Sequence, residues 1–494
     1  MIKNLLKRKE IKVLIIIFLF ALCFRLFFVV QSPFFSSDQA YFELRNVEYI
    51  HDNIGLMVYD NLSYGGRFIL TPFLFYYLMA LFTMILPAVW VLKFFPELLA
   101  AFLVFVVYSL TKRITHNNTA ALLSAFIAGF SPIFITQTLN QASVYCLIVL
   151  VFFFLLYTFF EIKNYLTYFI IASFILPLIN PMGFLLPISL IFYYLLLSLD
   201  NFKLEKIKNE AILFCVLLIL LINIIMFKNI FLEYGFQAVW QNVPLELLVD
   251  YFGEATPLGI VTALGVIPLL FGLGGFVVGF WLKKTKTVYF MSALVLSDLV
   301  LMALKLINLN EALLFLGLIL AIMSALTLDV ITNYLRLTKF YAHKKVVLYS
   351  VFVILLIGIT WPAYIQASHL MDNTINQDYY DAMLWIKDNT PEDVVVLADI
   401  SEGHYVTSIA ERQNVGDTYF LFAPDRYSEM RDALITESLV KMRKFLHKYN
   451  VEYVFVSQNI REMYNINDLK YINDKRCFDE VFSNEEATVY LFEC

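Results

Sequence analysis

Between residues 31 and 68 a polar stretch interrupts the apolar runs, reading SSDQAYFELRNVEYIHDNIGLMVYDNLSYGGRF from Ser36. Five carboxylates, Asp38, Glu43, Glu48, Asp52 and Asp60, stand there against Arg45 and Arg67. Helical spacing sets Asp38, Tyr41 and Arg45 on one face, with Phe42 and Tyr49 on a neighbouring apolar stripe. A carboxylate followed by a guanidinium suits a site for an anionic lipid headgroup: the first takes a proton or a cation, the second holds phosphate oxygens. Spacing alone favours a plainer alternative, a solvated amphipathic helix capped by Ser37 or Asp38. A second acidic stretch, 229–257, carries Glu233, Glu246, Asp250 and Glu254 and no Lys or Arg. Paired with Asp38, Glu254 offers oxygen ligands for a hard divalent cation, magnesium or manganese.

Other chemical signatures are missing. No Walker loop, HExxH, CxxC pair or Gly-x-Ser-x-Gly elbow occurs, which argues against ATP-driven transport and the common hydrolases. No basic run suits nucleic acid. Leu273-Gly274-Gly275 falls inside an apolar run, where small residues permit close helix packing. Asn61-Leu62-Ser63 is a glycosylation triplet of a kind common by chance.

The elements that must position these residues are membrane helices. The chain is 494 residues long, 60% hydrophobic and 16% charged, far from the balance of a soluble domain. Runs long enough to cross a bilayer fall at 11–30, 94–111, 119–136, 142–160, 165–180, 183–199, 211–228, 258–281, 287–305, 311–330 and 346–365. A twelfth run, 69–92, is the ambiguous one. Left out of the membrane, it places 18 Lys and Arg in the cytoplasmic segments; made to cross, it moves thirteen of them outside. Basic residues collect in cytoplasmic loops, so 69–92 is expected on the outer face. The result is eleven spans in the cell membrane, with a cytoplasmic N-terminus and an exterior C-terminal part. Ten spans and no small-x-small site follow the first one, which therefore reads as an anchor. Arg25 within it would snorkel to the headgroups, or else hold a lipid phosphate.

Charge marks the domain boundary. Residues 367–494 hold 23 acidic and 12 basic residues, whereas residues 1–366 carry a net positive charge. The acidic part alternates helix and strand patterns. A helix is expected at 378–389, a strand at Val394–Leu397, an amphipathic helix at 425–448, a strand at Val451–Ser457 and a terminal hairpin, in all a small α/β domain. Cys477 and Cys494 flank that hairpin and can form a bridge if this end meets an oxidising compartment. Cys23, Cys146 and Cys215 read as core residues.

In the first loop, Asp38, Tyr41, Arg45, Glu48, Gly55 and Tyr59-Asp60-Asn61-Leu62-Ser63-Tyr64 resemble the catalytic subunits of oligosaccharyltransferases, membrane glycosyltransferases of the GT-C fold. The resemblance continues at Ser131-Pro132 and at Gly253-Glu254-Ala255-Thr256-Pro257, and in the order Thr390-Pro391, Gly403-His404-Tyr405, Arg412, Asp417. It implies a GT-C-like membrane domain over 1–366, a polyprenyl-linked sugar donor, and a site at Asp38 with Glu254 in a mobile loop near metal and acceptor. The departures are as specific. The family's Trp-Trp-Asp-Tyr-Gly signature, which reads an acceptor sequon, falls on Asp399-Ile400-Ser401-Glu402-Gly403, and its acidic pair after the third span falls near Asn140 and Gln141. The Arg expected near the tenth span is replaced by a stretch with Asn308, Asn310 and Glu311.

The expected function is transfer of a sugar or glycan from a polyprenyl-phosphate-type lipid to an exterior acceptor. Asp38 would be the base or a metal ligand, and Tyr41, Arg45, Arg67 and Glu254 would bind substrate. Two other readings are a non-catalytic relative that binds lipid-linked glycans and a transporter of lipid-linked sugars. The latter lacks the internal repeats that transporters tend to show.

Overall fold

A computed structural model describes residues 9–69, 72–240, 256–283, 285–335, 337, 344–419, 424–464 and 469–494. The protein is a mostly helical, polytopic membrane protein with a C-terminal α/β sheet region. Among the described residues, eight helices are long and apolar enough to cross a bilayer, and two bent pairs raise the number to ten. The first helix, α1 (Lys9–Val29), is followed by α2 (Asp38–Asn53), α3 (Leu74–Thr83) and α4 (Ala88–Thr115). The run 69–92 therefore holds a ten-residue helix, about 15 Å long and half the hydrocarbon thickness, and its last residues open α4. The helix over 142–160 is Tyr145–Phe160, sixteen residues and also short.

Both bent pairs break where the sequence withdraws helix support. α5 (Asn118–Gly129) and α6 (Pro132–Thr138) meet at 42° across Ser131-Pro132, proline taking the first helical position. The expected span 258–281 turns by 91° at Gly265, so it is not one straight rod. Beyond the bend, the helix Val266–Val278 lies backbone-close against Leu309–Leu335. A Cβ on Gly275 would sit 2.0 Å from the Met323 carbonyl oxygen, so the glycine pair serves packing as expected.

The C-terminal region is built on a five-stranded sheet of order β4-β3-β5-β7-β6. Strands β3 (Val395–Leu397), β4 (Gln413–Asn414) and β5 (Val451–Ser457) run parallel; β6 (Phe478–Ser483) and β7 (Ala487–Phe492) form an antiparallel hairpin paired to β5. The helix Gln377–Asn389 and the strands match the sequence pattern. The expected helix 425–448 is two, Pro424–Ile435 and Leu439–Lys448, because the Ser438 side chain accepts from the Lys441 N–H and starts a new helix. Cys477 and Cys494 are joined in a disulfide, Cα atoms 4.8 Å apart, tying the last residue to the start of β6. Cys146 and Cys215 are buried, but Cys23 is exposed on the outer side of α1 rather than in the core.

Candidate active site at the junction of the first loop and the C-terminal region

The first loop is packed, not solvated. Ala40, Tyr41, Phe42, Leu44, Val47 and Ile50 of α2 are buried, which removes the plain surface-helix reading. Ser37 stands at the N-cap in extended conformation, but its hydroxyl caps nothing, and the Asp38 carboxylate points elsewhere. Asp38 Oδ1 accepts from the backbone N–H of Tyr405 at 2.9 Å, a residue 367 positions away. Its Oδ2 is buried without a hydrogen-bond partner among the described residues and lies 4.0 Å from His404 Nε2.

His404 is fully buried, under the Phe42 ring, and its other nitrogen, Nδ1, lies 3.8 Å from Asp417 Oδ2. Asp417 is in turn held by Arg67: Nη1 donates to Oδ1 at 2.9 Å and Nη2 lies 2.9 Å from Oδ2. The Arg67 guanidinium lies over the rings of Tyr64 and Tyr419. One chain of groups thus runs Asp38, His404, Asp417, Arg67, crossing twice between the first loop and the C-terminal region. Burial raises the Asp38 carboxyl well above the carboxylate range, and the nearby charges of Asp417 and Glu402 add to it, against the Tyr405 N–H. Burial pushes the His404 imidazole down to about 4, so it is neutral at physiological pH. Burial, the largest single effect, would raise Asp417 too, but the Arg67 charge together with His404, the Tyr419 N–H and the Tyr64 hydroxyl outweighs it and the carboxyl is held low.

Two supports set this geometry. The hairpin β1 (Tyr59–Asp60) and β2 (Arg67–Phe68) turns through Gly65-Gly66, and at Gly66, with φ of +116°, a Cβ would meet the Tyr59 hydroxyl oxygen at 2.2 Å. The Tyr64 N–H donates to Asn414 Oδ1 at 3.0 Å, and the Asn414 N–H donates to the Leu62 carbonyl at 2.9 Å, fastening the hairpin to β4. The second support reaches up from the membrane. Arg25 is fully buried and paired with Glu97 at 2.6 Å, neither snorkelling nor free for a lipid phosphate. Glu97 also accepts from the Asn140 N–H at 2.7 Å, and the Asn140 carbonyl accepts from the Ser36 N–H at 3.0 Å, two residues before Asp38.

The other site candidates find defined places. Tyr41 is buried, edge-on to Tyr405 with ring centroids 5.0 Å apart. Arg45 forks onto Asp60, with Nη1 donating to Oδ2 at 2.8 Å. Both loop arginines are thus engaged with carboxylates rather than turned to an open anion site. Glu254 lies outside the described residues. Glu402, at the lost sequon signature, is buried and accepts from Ser457 Oγ at 2.6 Å; burial pushes its carboxyl up to about 8. Apart from its place in the Gly403-His404-Tyr405 resemblance, nothing local marks His404 as a site residue, since one histidine in a helix has no signature until its neighbours are known.

Asp38 Oδ2, Ser37 Oγ and Asn140 Oδ1 are buried, unpartnered oxygens among the described residues, hard ligands in kind. They bring one full negative charge between them, and no group of three His, Cys, Asp or Glu suited to a metal occurs among the described residues. As they stand, these residues do not make a metal site.

The fold is shared with known GT-C glycosyltransferases. The oligosaccharyltransferase of Archaeoglobus fulgidus superposes with a TM-score of 0.72 at 16% identity, over 99% of this chain and 75% of that one. That oligosaccharyltransferase has also been solved with Zn and sulfate, and the Archaeoglobus fulgidus oligosaccharyltransferase AglB with an inhibitory peptide and a dolichol-phosphate superposes with a TM-score of 0.71 at 17% identity. ArnT from Cupriavidus metallidurans bound to undecaprenyl phosphate superposes at 0.58 with 10% identity over 97% of both chains. The mycobacterial arabinofuranosyltransferase AftD does so at 0.54 with 15% identity, over 96% of this chain and 41% of its own. No family profile matches the sequence, and no curated protein matches it. At these identities the likeness defines a GT-C fold.

Proposed function

We propose that the protein is a membrane glycosyltransferase that moves a sugar or glycan from a polyprenyl-phosphate-type lipid to an acceptor on the exterior face. What carries the reading is Asp38: a carboxyl at the junction of membrane domain and C-terminal region, in a GT-C fold, with one buried oxygen unpartnered among the described residues. In the transfer, the acceptor oxygen forms a bond to the anomeric carbon, the bond from that carbon to phosphate breaks, and the phosphate leaves with the electron pair. Asp38 accepts the proton of the acceptor hydroxyl; a raised carboxyl makes the stronger base once ionised. Tyr41 walls the site. Arg45 and Arg67, engaged with Asp60 and Asp417, hold the loop that carries Asp38. Glu254 is the second carboxylate that a divalent cation at Asp38 would need. The membrane domain, 1–366, would hold the lipid tail, and 367–494 would frame the acceptor. The test is transfer from a panel of radiolabelled polyprenyl-linked sugars in membranes. A wild type inactive on every donor would move the weight to a non-catalytic, glycan-binding relative.

Orientation follows from the same reading. A reporter fused after Arg113 is expected in the cytoplasm and one after Cys494 outside, where the Cys477–Cys494 bridge can form and persist. A reporter at Arg113 found outside would sink the eleven-span topology. The acceptor is expected not to be a sequon peptide. Asp399 is engaged by the Ser401 N–H and the Tyr464 hydroxyl, and Glu402 by Ser457, so the residues replacing the sequon signature are tied up inside the domain. Peptides bearing Asn-x-Ser/Thr should show no transfer above background by mass spectrometry; robust labelling would mean another part of the C-terminal region reads them.

A further inference from the structure

A second carboxylate, inside the membrane domain, has no countercharge. Asp298 stands five residues before the end of the helix Lys286–Ala303 and is 1% exposed. Neither of its carboxylate oxygens has a hydrogen-bond partner among the described residues. A carboxylate placed this way in a membrane bundle is costly until something answers its charge, and such residues mark ligand and ion paths. The one described charged group near enough to act on it, Glu311, has the same sign. No described Lys, Arg or His bonds to Asp298, and the stretches 70–71, 241–255, 420–423 and 465–468 contain none that could. Glu311 itself is provided for: the Asn308 N–H donates to Oε2 at 3.1 Å, and the Tyr145 hydroxyl donates to Oε1. The unanswered charge is therefore single, and it sits on Asp298. The place is tied to the proposed transfer site. Asn140, whose carbonyl accepts from the Ser36 N–H, precedes Tyr145 by five residues, so Asp298 and Glu311 lie at the end of the bundle that carries Asp38.

We infer that Asp298, backed by Glu311 and Tyr145, is a binding site for a primary ammonium group carried by the sugar or the lipid that the protein handles. A primary ammonium brings one charge and three N–H donors. Asp298 offers one charge and two open oxygens, and the lone pairs left on Glu311 serve the third donor. Glu311 and Tyr145 are half-buried, so the site is reached past them. A divalent cation is a poorer match. It wants several hard ligands, whereas both Glu311 oxygens already accept hydrogen bonds and no group of three His, Cys, Asp or Glu occurs among the described residues. A neutral sugar hydroxyl would leave the charge unanswered. Two sources present an ammonium at this end of the bundle: an amino sugar on the polyprenyl donor, and the ethanolamine headgroup of a phospholipid. The amino-sugar source rests on the reading of the protein as a glycosyltransferase; the headgroup source does not. In either case Asp298 touches the amine and not the reacting carbon, so it selects the substrate rather than performs the transfer.

Two measurements on the full chain test this, each comparing wild type with Asp298→Asn. In the first, thermal unfolding is followed in nanodiscs of phosphatidylethanolamine and of phosphatidylcholine with the same acyl chains, the latter having no N–H to give. If the ligand is the headgroup, phosphatidylethanolamine raises the wild-type midpoint by about 2 °C or more over phosphatidylcholine, and Asp298→Asn loses that advantage. In the second, kcat/KM is compared for a polyprenyl-phosphate amino sugar with a free amine and for its N-acetylated counterpart. If the ligand is the donor sugar, wild type prefers the free amine by about 10-fold or more, through KM, and in Asp298→Asn the ratio falls to about one. Either difference, present in wild type and abolished by the substitution, upholds the site and names its source. No difference in either measurement, or a difference that Asp298→Asn keeps, overturns it and leaves Asp298 a buried neutral acid. Added sodium or magnesium ions that give the same Asp298-dependent rise would make it a metal-ion site and overturn the inference as well. If no donor of any kind is transferred, the glycosyltransferase reading fails, and the headgroup measurement alone decides the site. If Asp298→Asn does not fold, Asp298→Leu, which removes charge and polarity together, takes its place, and the wild-type contrasts still decide.

Discussion

Asp38→Asn is expected to lower glycosyl transfer by about 10²–10⁴-fold, the usual span for loss of a general base. The change is close to isosteric, and the amide oxygen still accepts the Tyr405 N–H that Oδ1 accepts now, so the C-terminal region stays docked on the first loop. The new amide N–H₂ takes the place of Oδ2, 4.0 Å from His404 Nε2, a nitrogen that also has the Thr418 hydroxyl at 3.3 Å. Folding, detergent-solubilised yield and binding of the lipid donor should therefore be near wild type, and the loss should fall on kcat. Asp38→Ala is the coarser control, since it also strips the Tyr405 N–H of its partner. Full activity of Asp38→Asn in a verified assay would remove the site from the first loop.

Arg67→Met is expected to be the most destabilising single change in the C-terminal junction, by about 3–5 kcal/mol near neutral pH, because it leaves a buried Asp417 without its countercharge. The pH dependence distinguishes this cause from simple loss of packing. In wild type, Arg67 holds the folded-state pKa of Asp417 below its unfolded value, so the pair contributes stability above that value and loses it only in strong acid. Without Arg67, burial dominates and raises the folded-state pKa. The folded variant then binds more protons than the unfolded one, and its stability falls as pH rises above about 4. The melting deficit against wild type should thus be larger at pH 7.5 than at pH 4.5. A deficit equal at the two pH values would show that the stacking of the guanidinium on Tyr64 and Tyr419, not its charge, is what is lost. Arg67→Lys, which keeps the charge but not the fork, should fall between the two.

Some of this was legible in the sequence because the signals are local. Apolar run length marked the membrane helices, since a bilayer core demands about twenty apolar residues wherever they occur. The order of apolar and amphipathic segments gave the helix Gln377–Asn389, strand β5 and the terminal hairpin. It could not give the break before Leu439, where one serine cap outcompetes helix propagation, or the 91° turn at Gly265 inside an unbroken apolar run. Hydropathy reports what a segment can be buried in, not the direction it takes.

The site divides along the same line. Residue types and their spacing in one loop singled out Asp38, Tyr41, Arg45 and Arg67, because a carboxylate and two arginines amid apolar runs must be there for a reason. What each of them does was decided by tertiary structure. Arg45 and Arg67 looked like phosphate binders because a guanidinium at a membrane face is one by default; folding gives them Asp60 and Asp417, and their charge is used within the protein. Arg25 looked as if it would snorkel, but Glu97 from α4 meets it inside the bundle. His404 and Asp417 have no local pattern that links them to Asp38, since the chain must first run through the membrane domain before either can reach it. A contact between residues more than three hundred and sixty positions apart is selected by packing of whole elements, and only then do burial and countercharge give each group the proton affinity on which its chemistry depends.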